Sequence, residues 1–422
     1  MDNRILDEFQ AAFGQELDLL TDNLGALETA VQSKLQQLGR GLLQRLLARQ
    51  PHGYQGSLIP CSCGAAKRFV AHRPQNIHTI FGWIEIRRAY YHCPTCKSST
   101  VPYDQASGLG AQQLSPGLAR ACCVLAVDDS FEQSSRKVAE LLGQEVSANS
   151  IERLIHQVGQ TILNEQNRHL EEFFEQREWP EAAVEPERLY VAVDGTTVHE
   201  NDGWHEVKMG VIYWENERQE RMSRFVGRFV NSESFGWYLW LAACQCGLRG
   251  AQEVVFLGDG AAWIRHERYR HFGRATFIID WYHASEHLWD CGKVLFGEGH
   301  RRTKQWVKLR QGWLWDGYSK RLIDDLTEQI KVHRGLKREA LVQVHKYIKD
   351  NEEEMRYDEF RSKGYDIGSG AVEGSCKHVV GKRLKQSGMI WSRLGSSATL
   401  ALRITWLNGE WDRLWSRKPL AA

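Results

Sequence analysis

Two aspartates, each followed at once by a glycine and each closing an apolar run, are the residues best placed to do chemistry: Asp194 in LYVAVDG and Asp259 in EVVFLGDG. The apolar runs predict strands, and a carboxylate at the exit of a buried strand is held rigidly while its head reaches solvent, as a metal site requires. Asp-Gly is also ordinary turn chemistry, so the weight lies in having two such positions in one sheet. Glu373 offers a third acid. It follows Gly368-Ser369-Gly370 near a predicted helix start, with Lys377 one turn later and His378, Lys382, Arg383 and Lys385 beyond. An acid there is equally explained by the helix dipole, and spacing alone does not choose. Carboxylates that bind metal beside cations that bind phosphate are the equipment of phosphodiester chemistry, with two Mg²⁺ (or Mn²⁺) ions about 3.5 to 4 Å apart serving an in-line displacement. Oxygen-only ligands favour these ions over zinc.

A second metal site of different chemistry is predicted by Cys61 and Cys63 together with Cys93 and Cys96 of YYHCPTCKS. Two close thiolate pairs can close a tetrahedral zinc site, against the alternative of buried or redox cysteines. Cys122 and Cys123 sit in the apolar run ARACCVLAV and read as core, and Cys244, Cys246, Cys291 and Cys376 lack ligand spacing. His283 ends Asp280-Trp281-Tyr282-His283 near the predicted mouth of the acidic site, where a helix-start role competes with a functional one.

The elements that must position these residues are set by periodicity. Residues from about 5 to 49 place Leu17, Leu20, Leu24, Leu27, Val31, Leu35, Leu38 and Leu42 in steps of mostly three and four, predicting a helical hairpin or short coiled coil that either dimerises or packs on its own chain. Gly25, Gly39 and Gly41 weaken a long coiled coil. Short strands are predicted between Pro51 and Pro102. Next, SFEQSSRKVAELLG ending at Gly143 and a second helix capped by Ser147, with Ile151, Leu154, Ile155, Val158 and Ile162 on its apolar face, form either a helix-turn-helix or a plain helical hairpin. An acidic, proline-punctuated linker is expected from about Asn167 to Arg188. Beyond it, LYVAVDG, HEVKMGVIYW, RFVGRFV, EVVFLGDG and ATFIIDW read as five strands, the last three separated by helices, which predicts a mixed sheet covered by helices. Residues from about Ala284 to Tyr357 read as all helical, and a basic helical segment comes after GYDIGSG.

Bulk properties set the frame. A chain of 422 residues, 42% hydrophobic, exceeds one ordinary core. No apolar run approaches the roughly 18 to 20 residues of a membrane span, and MDNRILDEFQ lacks a signal-peptide core, so a cytoplasmic location is expected. The uneven spacing of the 10 cysteines fits metal binding and packing in a reducing compartment. Formal charge is only +1, but from Arg361 onward there are 11 Lys/Arg against 4 Asp/Glu, which concentrates any phosphate-binding surface there.

Taken together, YYHCPTC, the helix-turn-helix segment, VAVDGT, FLGDGAAWI, DWYHASEHL and GSGAVEGSCKHVVGKRLK make the chain resemble insertion-sequence transposases of the Kra type, related to the Mutator-like branch of DDE transposases. The resemblance implies an α/β fold: an RNase H-like catalytic core with an all-helical insertion, preceded by helical, zinc-ribbon-like and helix-turn-helix regions. The implied boundaries are 1–50 (helical arm), 51–110 (zinc-binding β region), 111–166 (helix-turn-helix), 167–188 (linker), 189–283 (first part of the core), 284–360 (insertion) and 361–422 (the part carrying the catalytic Glu). It makes Asp194, Asp259 and Glu373 the acidic triad, raises Asp280 and His283 to a D-x-x-H motif, and casts His283 and Lys377 as phosphate contacts, with Lys382, Arg383 and Lys385 holding DNA backbone. The activity implied is metal-dependent hydrolysis at transposon ends followed by strand transfer, on double-stranded DNA carrying terminal inverted repeats, by at least a homodimer in the bacterial cytoplasm at the nucleoid. Trp289, Trp306, Trp313 and Trp315 of the insertion either stack on an unpaired base or pack as core. Two rival functions use the same residues: a DNA-binding regulator without catalysis, and an RNase H-like nuclease that cuts without joining.

Overall fold

The computed structural model describes residues 24–50, 52–107, 109, 113–176, 178–368 and 370–416, and the chain divides into two compact units, one running to Ile155 and including Trp411 onward, the other His156–Glu410. The fold is mixed α/β.

In the first unit, α1 (Leu24–Ala48) lays Leu43 and Leu47 against Ile77, Ile84 and Ile86, and leaves Leu35, Leu38, Leu42 and Leu46 exposed. The rest of the predicted arm, with Leu17 and Leu20, lies outside the described residues. Strands β1 (Leu58–Pro60), β2 (Ala66–Thr79), β3 (Gly82–His92) and β4 (Ser99–Thr100) form an antiparallel sheet in sequence order. Burial alternates along β3, as the period-two side-chain pattern of a one-faced strand requires. After α2 (Pro102–Ser107), Ser115 caps α3 (Pro116–Ala126), which buries Cys122 and Cys123 completely. α4 (Phe131–Leu142) starts at the Ser130 cap and stops at Gly143, whose φ of 62° lies in the left-handed region that favours glycine. The Ser147 hydroxyl then accepts the Ser150 N–H at the start of α5 (Ala148–Gln176). Ile151, Leu154, Ile155 and Ile162 are buried, as their spacing predicts. The expected linker begins later than the acidic composition implied: the chain stays helical to Gln176 because Leu170 is buried and Phe173 packs against Trp240, 4.9 Å between ring centroids.

The second unit is built on β5 (Arg188–Glu200), β6 (Gly203–Glu215) and β7 (Arg221–Arg228), then α6 (Ser232–Gln245), β8 (Glu253–Gly258), α7 (Ala262–His271) and β9 (Thr276–Ile279). Sheet order is β7-β6-β5-β8-β9, antiparallel from β5 to β7 and parallel from β5 through β8 to β9. The chain thus fills one side of β5 first and then crosses to the other, which makes the β5/β8 boundary a topological switch point, the place where open α/β sheets leave a crevice beyond their strand ends. Helices α8 (Trp281–Phe296), α9 (Arg301–Trp315), α10 (Ser319–Val332) and α11 (Gly335–Asp350) come next, then a 3₁₀ turn (Glu352–Met355) and α12 (Tyr357–Ser362). They have no separate core: Leu288, Leu314, Leu326 and Ile348 belong to the same buried cluster as Val191, Phe256 and Ile278 of the sheet.

The tryptophans of this helical stretch are packed. Trp306 is buried and donates its indole N–H to Gln329 (2.9 Å), Trp315 meets Trp281 edge-on at 4.9 Å, and Trp289 and Trp313 lie half-buried against the core. The unit closes with α13 (Gly370–Ser375), a π-helical turn (Cys376–Gly381), α14 (Lys382–Leu384) and α15 (Arg393–Leu407); α16 (Trp411–Ser416) belongs to the first unit. Among the described residues no helix is long and apolar enough to cross a membrane.

Candidate functional site

Asp194 does not end its strand, as the apolar run before it implied. β5 continues to Glu200, and Asp194 pairs with Met209 of β6. What ends at this level is the parallel pairing with β8, whose last registered partners are Ala192 and Leu257. Two residues further on, the same register sets Asp194 opposite Asp259, immediately past the end of β8. β9 continues the series, because Gly258 pairs with Ile279 and Asp280 is the next residue. The sheet therefore presents three aspartates on neighbouring strands where its parallel strands part.

These three carboxylates are used differently. Asp280 is buried and caps α8, accepting the His283 N–H at 2.7 Å. The D-x-x-H spacing is thus an N-cap and its N3 residue, which fixes where His283 leaves the helix. Asp259 accepts the Ala261 N–H at 2.7 Å, and Gly260, at φ +83°, turns the chain away behind it. Asp194 is half-buried and bonded to the Gly195 N–H at 2.7 Å. Burial raises its carboxyl above the usual aspartate range, opposed by the Gly195 N–H and the Cys376 thiol, with the Asp259 charge raising it further and His283 lowering it. Burial chiefly, then the Asp194 charge, also raises the Cys376 thiol.

Glu373 is brought over β5 and β6 by α13 but faces outward, 52% exposed at its side chain, bonded to Lys377 at 2.6 Å. Among the described residues, the groups that gather three or more potential ligand atoms within 4.8 Å of one another are Cys61/Cys63/Cys93/Cys96 and Glu200/Asp202/His205; the three acids are not such a group. Glu200 of the latter is buried and already held by Ser396 (2.5 Å) and Arg393 (3.1 Å).

The cations expected to face phosphate separate into two kinds. Lys377, Lys382 and Lys385 lie at the surface, and Lys385 reaches back to the Thr196 hydroxyl beside Asp194. Arg383 is a correction: it is fully buried, over the Trp391 ring at 4.9 Å, and donates to the Met389 sulfur. The π turn before it explains the error, since one added residue rotates the next turn of chain by about 100° relative to an unbroken α-helix. Arg403 of α15, also fully buried, supports that turn by donating to the Val379 carbonyl at 2.7 Å and the His378 carbonyl at 2.6 Å.

Sequence reasoning missed His287, Tyr347 and Cys376 at this site. His287 lies one turn after His283 on the same helix face, which was legible; Tyr347 and Cys376 carried no local signal.

The thiol cluster has the opposite character. Sγ–Sγ separations are 3.5 Å for Cys61–Cys96 and Cys61–Cys63 and 3.7 Å for Cys63–Cys93. A tetrahedral ion with bonds of about 2.3 Å requires sulfurs about 3.8 Å apart, so the four residues fit one. Each pair sits in a tight turn between strands. The Cys61 carbonyl accepts the Gly64 N–H (3.0 Å, Gly64 φ +86°), and the Cys93 N–H donates to the Ser98 carbonyl (2.8 Å) across Lys97, whose φ is +59°. The Cys63 backbone N–H and the Ser98 hydroxyl help pull the Cys61 thiol down to about 6, while the adjoining sulfurs raise the Cys63 thiol to about 11, so Cys61 is the member of the set favoured as thiolate before metal binds.

A family model matches residues 21–417, so the chain belongs to the uncharacterised protein family UPF0236. No curated protein matches it.

Proposed function

We propose that the protein is a DDE transposase of the Kra type, with an RNase H-like core in the second unit and a zinc-ribbon-like module in the first. The observation that carries this reading is the register of β5 and β8, which sets Asp194 against Asp259 at a switch point of the sheet. The sheet order, with three antiparallel strands followed by two parallel ones, supports the RNase H-like assignment. Membership of UPF0236, a family of transposase-like proteins, supports the class.

In this reading Asp194, Asp259 and Glu373 hold two Mg²⁺ or Mn²⁺ ions, and Cys61, Cys63, Cys93 and Cys96 hold a structural Zn²⁺. When bound, the divalent pair polarises the scissile phosphate and activates the attacking oxygen. The protein's own residues do the rest. Asp194 is held within β5 and by its bond to the Gly195 N–H, and Asp259, just past the end of β8, by its bond to the Ala261 N–H. Glu373 would complete the set by exchanging its bond to Lys377 for metal, which would leave that lysine for a phosphate oxygen. His283, fixed in place by the Asp280 cap, stands at the mouth of the site, and Lys382 and Lys385 hold DNA backbone, which gives affinity rather than sequence choice. The helix pair α4/α5 and the thiol module are the parts assigned to terminal-repeat recognition, and cutting and joining two ends requires at least a dimer on DNA.

The test is incubation of purified protein and Mg²⁺ or Mn²⁺ with duplex DNA carrying the flanking ends of its own element, with product ends mapped, together with a pre-cut 3′-OH end offered for joining. Cleavage leaving a 3′-OH, and joining of the pre-cut end, are expected. Cleavage without joining moves the assignment to a nuclease, and binding without either moves it to a regulator.

A further inference from the structure

The helices between β9 and Glu373 do more than extend the unit. Tyr347 on α11 donates its hydroxyl to the main-chain carbonyl of Asp259 at 3.3 Å. Its ring lies against the His287 imidazole, with centroids 3.9 Å apart and planes tilted 33°. His287 in turn meets the His283 ring edge-on at 4.9 Å. One continuous contact therefore runs from the backbone of an acid, through a phenol and an imidazole, to the histidine fixed by Asp280. Tyr347 is half-buried, as is His287, and both are shielded by helices that share the core of the sheet.

Asp259 needs such a brace. It stands one residue past the end of β8: the Gly258 carbonyl before it still accepts the Asp280 N–H (2.9 Å) and the Gly260 carbonyl after it accepts from the Arg265 guanidinium (3.2 Å), which leaves the carbonyl of Asp259 itself to be held from elsewhere. The Tyr347 hydroxyl supplies that bond, from α11. His283 is similarly pinned at its backbone by Asp280, and its ring lies between the Glu286 carboxylate, 3.5 Å from Nδ1, and the rings of His287 and, at 6.2 Å, Tyr347. Burial, chiefly, and the neighbouring His283 lower the His287 pKa, with Asp290 and Asp259 opposing.

We infer that Tyr347 and His287 are positioning residues for the acidic site: Tyr347 holds the Asp259 turn, and the His287 ring, stacked on Tyr347, orients His283. This rests on the reading that Asp194 and Asp259 bind divalent metal. It gives α8 and α11 a share in the site itself. Partners that orient metal ligands from behind commonly matter by roughly 10- to 100-fold in metal affinity.

The experiment is titration of Mn²⁺ into the full-length protein, with free Mn²⁺ read by EPR, for the native chain and for Asp259→Ala, Tyr347→Phe, His287→Ala and His287→Phe, each checked for folding by circular dichroism. The hydroxyl alone is lost in Tyr347→Phe, and the stack is kept in His287→Phe, so neither depends on tolerance of a cavity. Expected are loss of the site in Asp259→Ala, weakening by about 10-fold in Tyr347→Phe and His287→Ala, and near-native binding in His287→Phe. Native binding in Tyr347→Phe and His287→Ala alongside loss in Asp259→Ala overturns the inference and leaves the functional reading standing. Equal weakening in His287→Phe and His287→Ala overturns positioning by packing, since His287 then acts through its nitrogens. A native chain with no Mn²⁺ site removable by Asp259→Ala defeats the functional reading itself.

Discussion

The thiol cluster and the acidic site are two candidate metal centres in one chain, and they are prepared to different degrees. Four sulfurs are linked by neighbour separations of 3.5 to 3.7 Å, and each cysteine pair is held by a tight turn between strands. Of the carboxylates, one is held within β5, one stands just past the end of β8, and the third is turned outward onto a lysine. Under the proposed function, the difference follows from what each ion would have to do. A structural site gains from being closed, because its binding energy is folding energy. A site that handles a substrate keeps part of its ligand set free until substrate and metal arrive together, and a surface ion pair is an undemanding place to hold the third acid, since such pairs contribute little to stability.

The contrast is broken most visibly at the thiols. Cys93→Ser, at the buried corner of the cluster, is expected to abolish binding of one zinc equivalent and to unfold the β1–β4 sheet, read by metal analysis and circular dichroism; retention of the sheet without zinc removes the structural role. A smaller effect is expected from Arg403→Met, which strips two carbonyls of the π turn of their buried donor. It should cost about 2 to 4 kcal/mol in denaturant unfolding and displace Glu373 without touching it.

Asp194→Asn sharpens the contrast from the other side. Because burial raises the Asp194 pKa in the folded state, the protonated form is favoured there, and the ionised form destabilises the metal-free fold at neutral pH. The stability tied to its proton is complete below the unfolded-state pKa and is lost as pH rises through the raised folded value. The asparagine variant should therefore melt higher than the native metal-free protein at pH 7, with the gain vanishing as pH falls below about 4. An unchanged melting temperature at pH 7 contradicts this. The smallest effect belongs to Lys377→Ala: no measurable change in melting, DNA binding weakened alike across sequences, and a salt dependence of binding shallower by about one unit of log–log slope.

How much of this was legible depended on whether the signal was local. The thiol pairs, the Gly143 stop, the Ser147 cap and the five strand runs are encoded within a few residues, and the sheet and helices fall where those patterns place them. Asp194 and Asp259 were visible as acids after apolar runs, but their opposition depends on register between strands far apart in the chain, which no local pattern states. Arg383 was misassigned because KRLK looks like a solvated basic patch until the π turn rotates one member into the core. Tyr347 was invisible, since its role arises from a helix brought back over the strand ends by packing.

The most direct test of the central claim is Mn²⁺- or Mg²⁺-dependent cleavage of DNA bearing the element's own ends by three single variants, Asp194→Asn, Asp259→Asn and Glu373→Gln, each verified as folded. The account predicts that all three lose cleavage by at least about 10³-fold, the scale on which groups stabilising transition-state charge act, while DNA binding persists. Cleavage at the native rate by any of the three, with the metal still required, contradicts it.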